Sequence, residues 1–244
     1  AGLPNERPRY YCAAVLCGGT PPVAEDAAIT WERLRDVLDA EGDGTARALP
    51  PPRIHVRVPG GNRAAPPPPP VADFLDADLP GDAEKLAALC LPRKLLVGTA
   101  AWCLDVVLPS DARSACFTRS YGAFARGTGS VLYTGPVDDT VRSRIALVRP
   151  EEREFDAEAW RETDGLGSME GHLRYFSGTE IARLMGFPVG GGDGFEFPRS
   201  CAIRKQWQLL GNSLNVRVAA LVAEVGIERA RYNRNVAEKL GPSS

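Results

Sequence analysis

The clearest structural signal in the chain is RYFSGTEIARLMGFP, residues 174–188. Ser177 followed three residues later by Glu180 forms a capping box, in which each side chain accepts a hydrogen bond from the other residue's backbone N–H. Apolar residues at helical spacing follow from Ile181, and Gly186 ends the pattern. The spacing therefore predicts a helix that starts after Ser177, and Ser177 and Glu180 are interpreted as caps rather than as catalytic groups.

The rest of the chain alternates apolar runs with turn-rich segments. Apolar and β-branched runs predict strands at 9–17, 54–58 and 145–148, and helical spacing predicts helices over 31–38, 83–90, 94–107 and 214–239. Pro109 is expected to end the helix over 94–107, because proline cannot continue a helix. Arg174 and Arg183 are interpreted as salt-bridge or phosphate contacts.

The composition is that of an ordinary globular protein. The chain has 244 residues, of which 44% are hydrophobic and 25% charged, so it can bury a core. The formal net charge is −2, so contact with nucleic acid has to come from local basic patches. Glycine and proline are numerous, at 25 and 21 residues, which indicates long loops or insertions.

One such insertion is predicted at residues 18–70. It is rich in glycine, proline and arginine and ends in five consecutive prolines at 66–70. We interpret this run as a stiff polyproline spacer in preference to a ligand for a proline-binding module.

The first residues of the sequence and its cysteines indicate where in the cell the protein is expected. The first residues lack the apolar core of a secretory signal, and the apolar run at 95–104 is shorter than the roughly 20 residues that a bilayer requires. The six cysteines form no Cys-x-x-Cys pair and the two histidines are distant from them in sequence, so no metal site is expected. We expect reduced cysteines, a cytoplasmic or nuclear location, and no membrane association.

Four segments resemble one enzyme family. They are GLPNERPRY at 2–10, SACFTRSYG at 114–122, RYFSGTEIARLMGFP at 174–188 and KQWQLLGNSLNV at 205–216. Each is similar to a motif of the cytosine-5 methyltransferases, and the segments occur in that family's order. The triplet Cys116-Phe117-Thr118 is similar to a signature of the branch that methylates a cytosine in the anticodon loop of tRNA.

The resemblance implies an α/β fold. It implies part of a class I (Rossmann-like) methyltransferase domain that uses S-adenosylmethionine, together with a small target-recognition domain. The implied divisions are an edge strand of the catalytic domain at 1–17, the low-complexity insertion at 18–70, the target-recognition domain at 71–172 and the C-terminal part of the catalytic domain at 173–244.

The resemblance also implies which residues contact the base. Cytosine must leave its stack before carbon 5 can be methylated, and its ring oxygen then needs a donor. Arg9 is implied as that donor and Arg7 as its neighbour on the same strand face, because a guanidinium offers fixed N–H groups. Spacing alone favours surface arginines at a strand start, and only the order of the motifs favours contact with the base.

The cofactor is implied to contact Gly211, Asn212 and Ser213. These residues come just before the last predicted helix, and backbone and side-chain donors at a helix start suit an anionic group. The alternative is a simple Asn/Ser helix cap.

Target recognition is assigned by resemblance to Cys116, Phe117, Thr118, Arg119 and Tyr121. Cys116 is not expected to be a nucleophile, because apolar Phe117 follows it and no nearby base favours a thiolate. Further basic residues are interpreted either as contacts to the tRNA backbone or as a solvated charged face; these are Arg113, Arg119, Arg126, Arg199, Arg204 and Lys205.

The motifs of the first half of the family are missing from the sequence. There is no Phe-x-Gly-x-Gly loop, no Pro-Cys pair and no Glu-Asn-Val triplet. We therefore expect a C-terminal fragment of a tRNA (cytosine-5)-methyltransferase, with S-adenosylmethionine as cofactor, tRNA as substrate and the missing N-terminal half as partner. The alternatives are a DNA (cytosine-5)-methyltransferase and a non-catalytic half-protein that binds RNA or another subunit.

Overall fold

The computed structural model describes residues 68–148, 157–190 and 194–216, together with 219, 220, 223 and 227. The described residues up to Leu214 belong to one compact unit, and those from Asn215 onward belong to a second. Arg7, Arg9 and the elements predicted at 9–17, 31–38 and 54–58 lie outside the described residues.

Short helices surround a small sheet in the first unit. The α-helices are α1 (Ala83–Leu89), α2 (Arg93–Val97), α3 (Asp139–Leu147), α4 (Ala157–Glu162), α5 (Gly178–Leu184) and α6 (Ile203–Asn212), and 3₁₀ turns occupy Val71–Phe74, Leu79–Gly81, Thr99–Cys103 and Gly167–Met169. The helices predicted after Ser177 and over 83–90 are therefore confirmed as α5 and α1.

The sheet contains β1 (Asp105–Val107), β2 (Ser130–Tyr133) and β3 (Leu173–Arg174), in the order β1-β2-β3. Strands β1 and β2 are parallel, whereas β2 and β3 are antiparallel. Parallel neighbours need a long crossover, and here residues 108–129 provide it without a helix. The mixed sheet with flanking helices confirms the predicted α/β class.

Both faces of the sheet are buried. Val107 and Leu132 point into a core shared with α5 and α6, while Val106 and Val131 point into a second core that contains Trp160. Successive residues of a strand face opposite sides, which explains this division. The sheet thus links the two cores.

The predicted helix over 94–107 is wrong. Helix α2 ends at Val97, a 3₁₀ turn follows, and residues 105–107 form β1. Gly98 weakens the helix, and a parallel strand buried on both faces reads as a continuous apolar run. Periodicity alone does not distinguish such a strand from a buried helix.

The predicted strand at 145–148 is also wrong, because residues 145–147 close helix α3. The Asp138 side chain caps that helix by accepting a hydrogen bond from the Val141 backbone N–H at 2.7 Å. The acidic pair Asp138-Asp139 at the start of the segment therefore indicates the helix better than the apolar residues at 145–148 indicate a strand.

The second unit is described at only a few positions. Residues 216, 219, 220, 223 and 227 are helical, in agreement with the helix predicted from 214 onward. The helix begins after Asn215, whose carbonyl accepts a hydrogen bond from the Ala219 N–H at 3.0 Å.

Candidate functional site

The predicted recognition residues lie at and beside the start of a closed loop. We name residues 118–129 the recognition loop. The Thr118 N–H donates to the Thr128 carbonyl at 2.9 Å and thereby joins the two ends of the loop. The Tyr121 N–H donates to the Thr118 carbonyl at 3.0 Å, which forms a turn at its beginning. The backbone thus fixes the loop before any ligand is considered.

Phe117 and Tyr121 anchor this loop in the core. Both side chains are buried, with their rings 5.1 Å apart and nearly perpendicular. Phe117 also meets Phe176 edge-on at 5.4 Å, and Tyr121 meets Trp207 at 5.1 Å. Such edge-to-face pairs stabilise a core beyond the area they bury. Phe117 and Tyr121 therefore hold the loop, whereas the Arg119 side chain is exposed.

The hydroxyl of Tyr121 makes two hydrogen bonds inside the core. It donates to the Ser130 carbonyl at 2.6 Å and accepts from the Phe176 N–H at 3.0 Å. Burial raises the pKa of this phenol well above its usual value. Tyr121 thus remains a neutral connector between the recognition loop, β2 and the segment before α5.

We expect Tyr121→Phe to lower the free energy of unfolding by about 2 kcal/mol, because it removes one hydrogen bond to a buried backbone N–H and one to a buried carbonyl. Urea denaturation of the purified chain measures this change. Tyr133→Phe is the matched control, since the Tyr133 hydroxyl makes one partly buried bond, to the Pro136 carbonyl. Equal losses for the two variants would contradict the anchoring role of Tyr121.

Gly211 packs directly on the recognition loop. A Cβ placed on Gly211 would lie 2.1 Å from both the Arg119 nitrogen and the Thr118 carbonyl carbon. No side chain fits at that distance, so the close approach of the two backbones requires glycine. The structure therefore brings the Cys-Phe-Thr segment and the Gly-Asn-Ser segment together.

Gly211, Asn212 and Ser213 come just before the helical residues that begin at 216, as predicted. They also close a helix that was not predicted from the sequence. Gly211 and Asn212 are the last residues of α6, and Ser213 is its C-cap. The backbone N–H of Ser213 donates to the Leu210 carbonyl at 2.9 Å. Sequence reasoning missed α6, although the buried Trp207, Leu210 and Gly211 follow helical spacing.

Polar and apolar side chains are both accessible to solvent around the end of α6. The Asn212 side chain is exposed and Ser213 is half-buried. Leu209 and Leu214 are 47% and 43% exposed, unusual values for large apolar residues in this unit. The contact of Asn212 and Ser213 with the cofactor stays a prediction.

A buried ion pair supports the segment between β3 and α5. The Arg174 guanidinium donates to both carboxylate oxygens of Glu180, each at 2.8 Å, and the two side chains are 5% and 0% exposed. The predicted capping box is present, since Ser177 and Glu180 each accept the other's backbone N–H. The interpretation of Arg174 as a salt-bridge residue is confirmed.

Asp76 extends this network along α5. Its carboxylate accepts hydrogen bonds from the Ser177 and Thr179 hydroxyls and from Arg183, whose Nη1 lies 2.6 Å from Oδ1. Burial raises the pKa of Asp76, but the hydrogen bonds from these three side chains together lower it below its usual value. Arg183 is thus also a salt-bridge residue.

The remaining basic residues differ in their surroundings. Arg113 forms an ion pair with Asp105, with 3.4 Å between Nη2 and Oδ1. Arg119 and Arg126 lie exposed on the recognition loop, and neither takes part in a salt bridge with another described residue. Near the start of α6, further exposed cations are Arg199, Arg204 and Lys205.

Within the described parts of the chain, no group of three or more histidine, cysteine or acidic residues is placed to hold a metal ion. The helices in those same parts are too short or too polar to span a bilayer. The four described cysteines, at 90, 103, 116 and 201, are free.

The chain is similar to several curated proteins, although no family model matches it. It is 35% identical over 156 residues to tRNA (cytosine(38)-C(5))-methyltransferase of Bos taurus and 37% identical over 156 residues to that of Mus musculus. Each match covers 63% of this chain, and 34% and 32% of the relative. A DNA (cytosine-5)-methyltransferase of Dictyostelium discoideum is 29% identical over 155 residues.

These matches confirm the predicted resemblance to the cytosine-5 methyltransferases. Within that family, the named mammalian relatives belong to the tRNA-acting branch that the Cys-Phe-Thr triplet predicted. The chain spans about a third of the length of these relatives.

Proposed function

We propose that the whole protein transfers a methyl group from S-adenosylmethionine to carbon 5 of a cytosine in the anticodon loop of tRNA. In this proposal, the chain supplies RNA recognition and part of the cofactor pocket. The main supporting observation is the packing of Gly211 on Thr118 and Arg119, which joins the two motif segments in one compact unit. The mammalian relatives named for methylation of cytosine 38 support the same substrate.

The end of α6 fits one side of a cofactor pocket. S-adenosylmethionine supplies the methyl group, and it combines polar amino-acid and ribose groups with an aromatic base. The Asn212 amide and the Ser213 hydroxyl can donate and accept hydrogen bonds, and the exposed Leu209 and Leu214 offer apolar surface beside them. These four residues are therefore proposed to hold the cofactor.

The target base is proposed to reach the enzyme unstacked. A cytosine in an RNA loop costs little to extrude, and a protein can then read its edge. Arg9 and Arg7 are proposed to donate to the ring oxygen, and Arg119 to bind the RNA backbone. The sequence has no Pro-Cys pair, so the covalent step is assigned to residues outside this chain.

Methyl transfer by the whole protein tests the proposal. With radiolabelled S-adenosylmethionine, we expect label in tRNA and none in duplex DNA, and bisulfite sequencing should place the product in the anticodon loop. A tRNA whose anticodon-loop cytosines are replaced by uridine is the matched control substrate. Label that persists in that control would contradict the proposed target.

The second candidate is methylation of DNA, which the name of the Dictyostelium discoideum relative favours. Label in duplex DNA without label in tRNA would support it. Binding of tRNA without methyl transfer to either substrate would instead support a non-catalytic RNA-binding protein.

A further inference from the structure

Phe124 is an exposed aromatic residue on the recognition loop. Its side chain is 69% exposed, the highest value among the exposed large hydrophobic residues that the structure describes. The other aromatic residues of the segment, Phe117 and Tyr121, are buried. In the described parts of the chain, Phe124 is also the only exposed phenylalanine, tyrosine or tryptophan.

The exposure of Phe124 does not come from an unattached backbone. Its N–H donates to the Ser120 carbonyl at 3.3 Å, and its carbonyl accepts the Thr128 hydroxyl at 2.7 Å. Thr128 is itself buried and closes the base of the loop. The ring is therefore presented to solvent from a backbone held on both sides, which lowers the entropy cost of binding through it.

The charge around Phe124 is locally positive. Between Asp111 and Asp138 the sequence has three arginines and no acidic residue, although the chain as a whole has a net charge of −2. Arg113 is paired with Asp105, whereas Arg119 and Arg126 are exposed before and after Phe124. An aromatic face between cations matches a nucleic acid, in which flat bases alternate with phosphates.

A protein partner fits this surface less well. Interface anchors are usually surrounded by a larger apolar patch that excludes water. The loop residues next to Phe124 are the small Ala123 and Ala125, followed by Arg126. These neighbours add little apolar area, so Phe124 suits stacking on one base better than burial under another protein.

We infer that Phe124 is a stacking platform for an unpaired base of the bound RNA, with Arg119 and Arg126 binding phosphates on either side. The inference rests on the proposed function and adds a specific contact to it. Stacking on an aromatic side chain is tolerant of base identity, so Phe124 contributes affinity and placement rather than sequence choice.

RNA binding to the whole protein tests this contact, with a fluorescently labelled tRNA anticodon stem-loop as the probe. Phe124→Ala should raise the Kd about tenfold, while Phe124→Trp should keep the affinity. RNA should also quench the added indole of Phe124→Trp, measured against the tryptophan signal of the wild type. Val137→Ala, which shortens an exposed apolar side chain outside the loop, is the control and should leave the Kd unchanged.

Salt dependence separates stacking from charge. Arg119→Ala should weaken binding and lower the slope of log K against log salt by about 0.7, whereas Phe124→Ala should keep the slope of the wild type. A reduced slope for Phe124→Ala would overturn the assignment of stacking to this ring.

The outcomes also separate this inference from the proposed function. If the wild type binds and methylates tRNA while Phe124→Ala binds equally well, the stacking contact is wrong and the proposed function stands. If the wild type neither binds nor methylates tRNA, both are wrong. A lower Tm for Phe124→Ala with an unchanged Kd would show that the ring packs against polypeptide, which also overturns the stacking contact.

Discussion

Glu180→Ala is expected to lower the free energy of unfolding by about 3–5 kcal/mol, the range for breaking a buried ion pair by removing one partner. The Arg174 guanidinium would lose both of its 2.8 Å bonds to the carboxylate while remaining buried. The backbone N–H groups of Ser177 and Asp76 would lose their acceptors at the same time. Denaturant unfolding followed by circular dichroism measures the loss.

Glu170→Ala is the matched control for that experiment. Glu170 also forms an ion pair with an arginine, at 3.1 Å from Arg93, but both side chains are about half exposed. Exposed pairs contribute little to stability, so we expect little change. Glu180→Gln adds a second comparison, because it keeps the shape of the side chain and removes the charge. If Glu180→Ala unfolds at the same denaturant concentration as Glu170→Ala, the network does not stabilise the unit.

Gly211→Ala is expected to destabilise the protein by about 3 kcal/mol, although alanine normally favours a helix over glycine. The added Cβ would lie 2.1 Å from backbone atoms of Thr118 and Arg119, which cannot rotate away as a flexible side chain can. The recognition loop would have to move from α6, so tRNA affinity should fall together with stability.

Gly81→Ala provides the control for this substitution. A Cβ on Gly81 would meet nothing within 4 Å, and Gly81 is not among the glycines with a positive φ. For Gly81→Ala we expect no loss of stability, since alanine restricts the unfolded chain more than glycine does. If Gly211→Ala is as stable as Gly81→Ala, then α6 and the backbone of Thr118 and Arg119 do not require a glycine between them.

Local signals predicted local structure correctly. The capping box needs only Ser177 and Glu180 at a spacing of three residues, and it forms as expected. The α/β class and the resemblance to the cytosine-5 methyltransferases also followed from short motifs. The error at β1 arose because this segment is a strand through its pairing with β2, which is distant in sequence. The errors at α3 and α6 were local, since the cap at Asp138 and the helical spacing around Trp207 were present in the sequence.

The candidate site shows the same limit. Gly211 was assigned to the cofactor, but its buried position reflects contact with a segment more than ninety residues earlier in the chain. Phe117 and Tyr121 belong to the predicted recognition set, yet their burial is decided by Phe176 and Trp207. The exposure of Phe124 could not be predicted from hydrophobic periodicity, because this residue lies in a turn-rich segment where neither strand nor helix spacing applies.

Under the proposed function, the crossover between β1 and β2 limits how the protein can acquire new specificity. Residues 108–129 join two parallel strands in a fixed register, with Asp105 opposite Ser130. A longer or shorter connection would strain that pairing and the packing on Gly211, so transplanting a foreign loop would damage the sheet. Natural or laboratory evolution is instead expected to retarget the protein through single substitutions at exposed positions such as 119, 124 and 126, while the length of the connection stays unchanged.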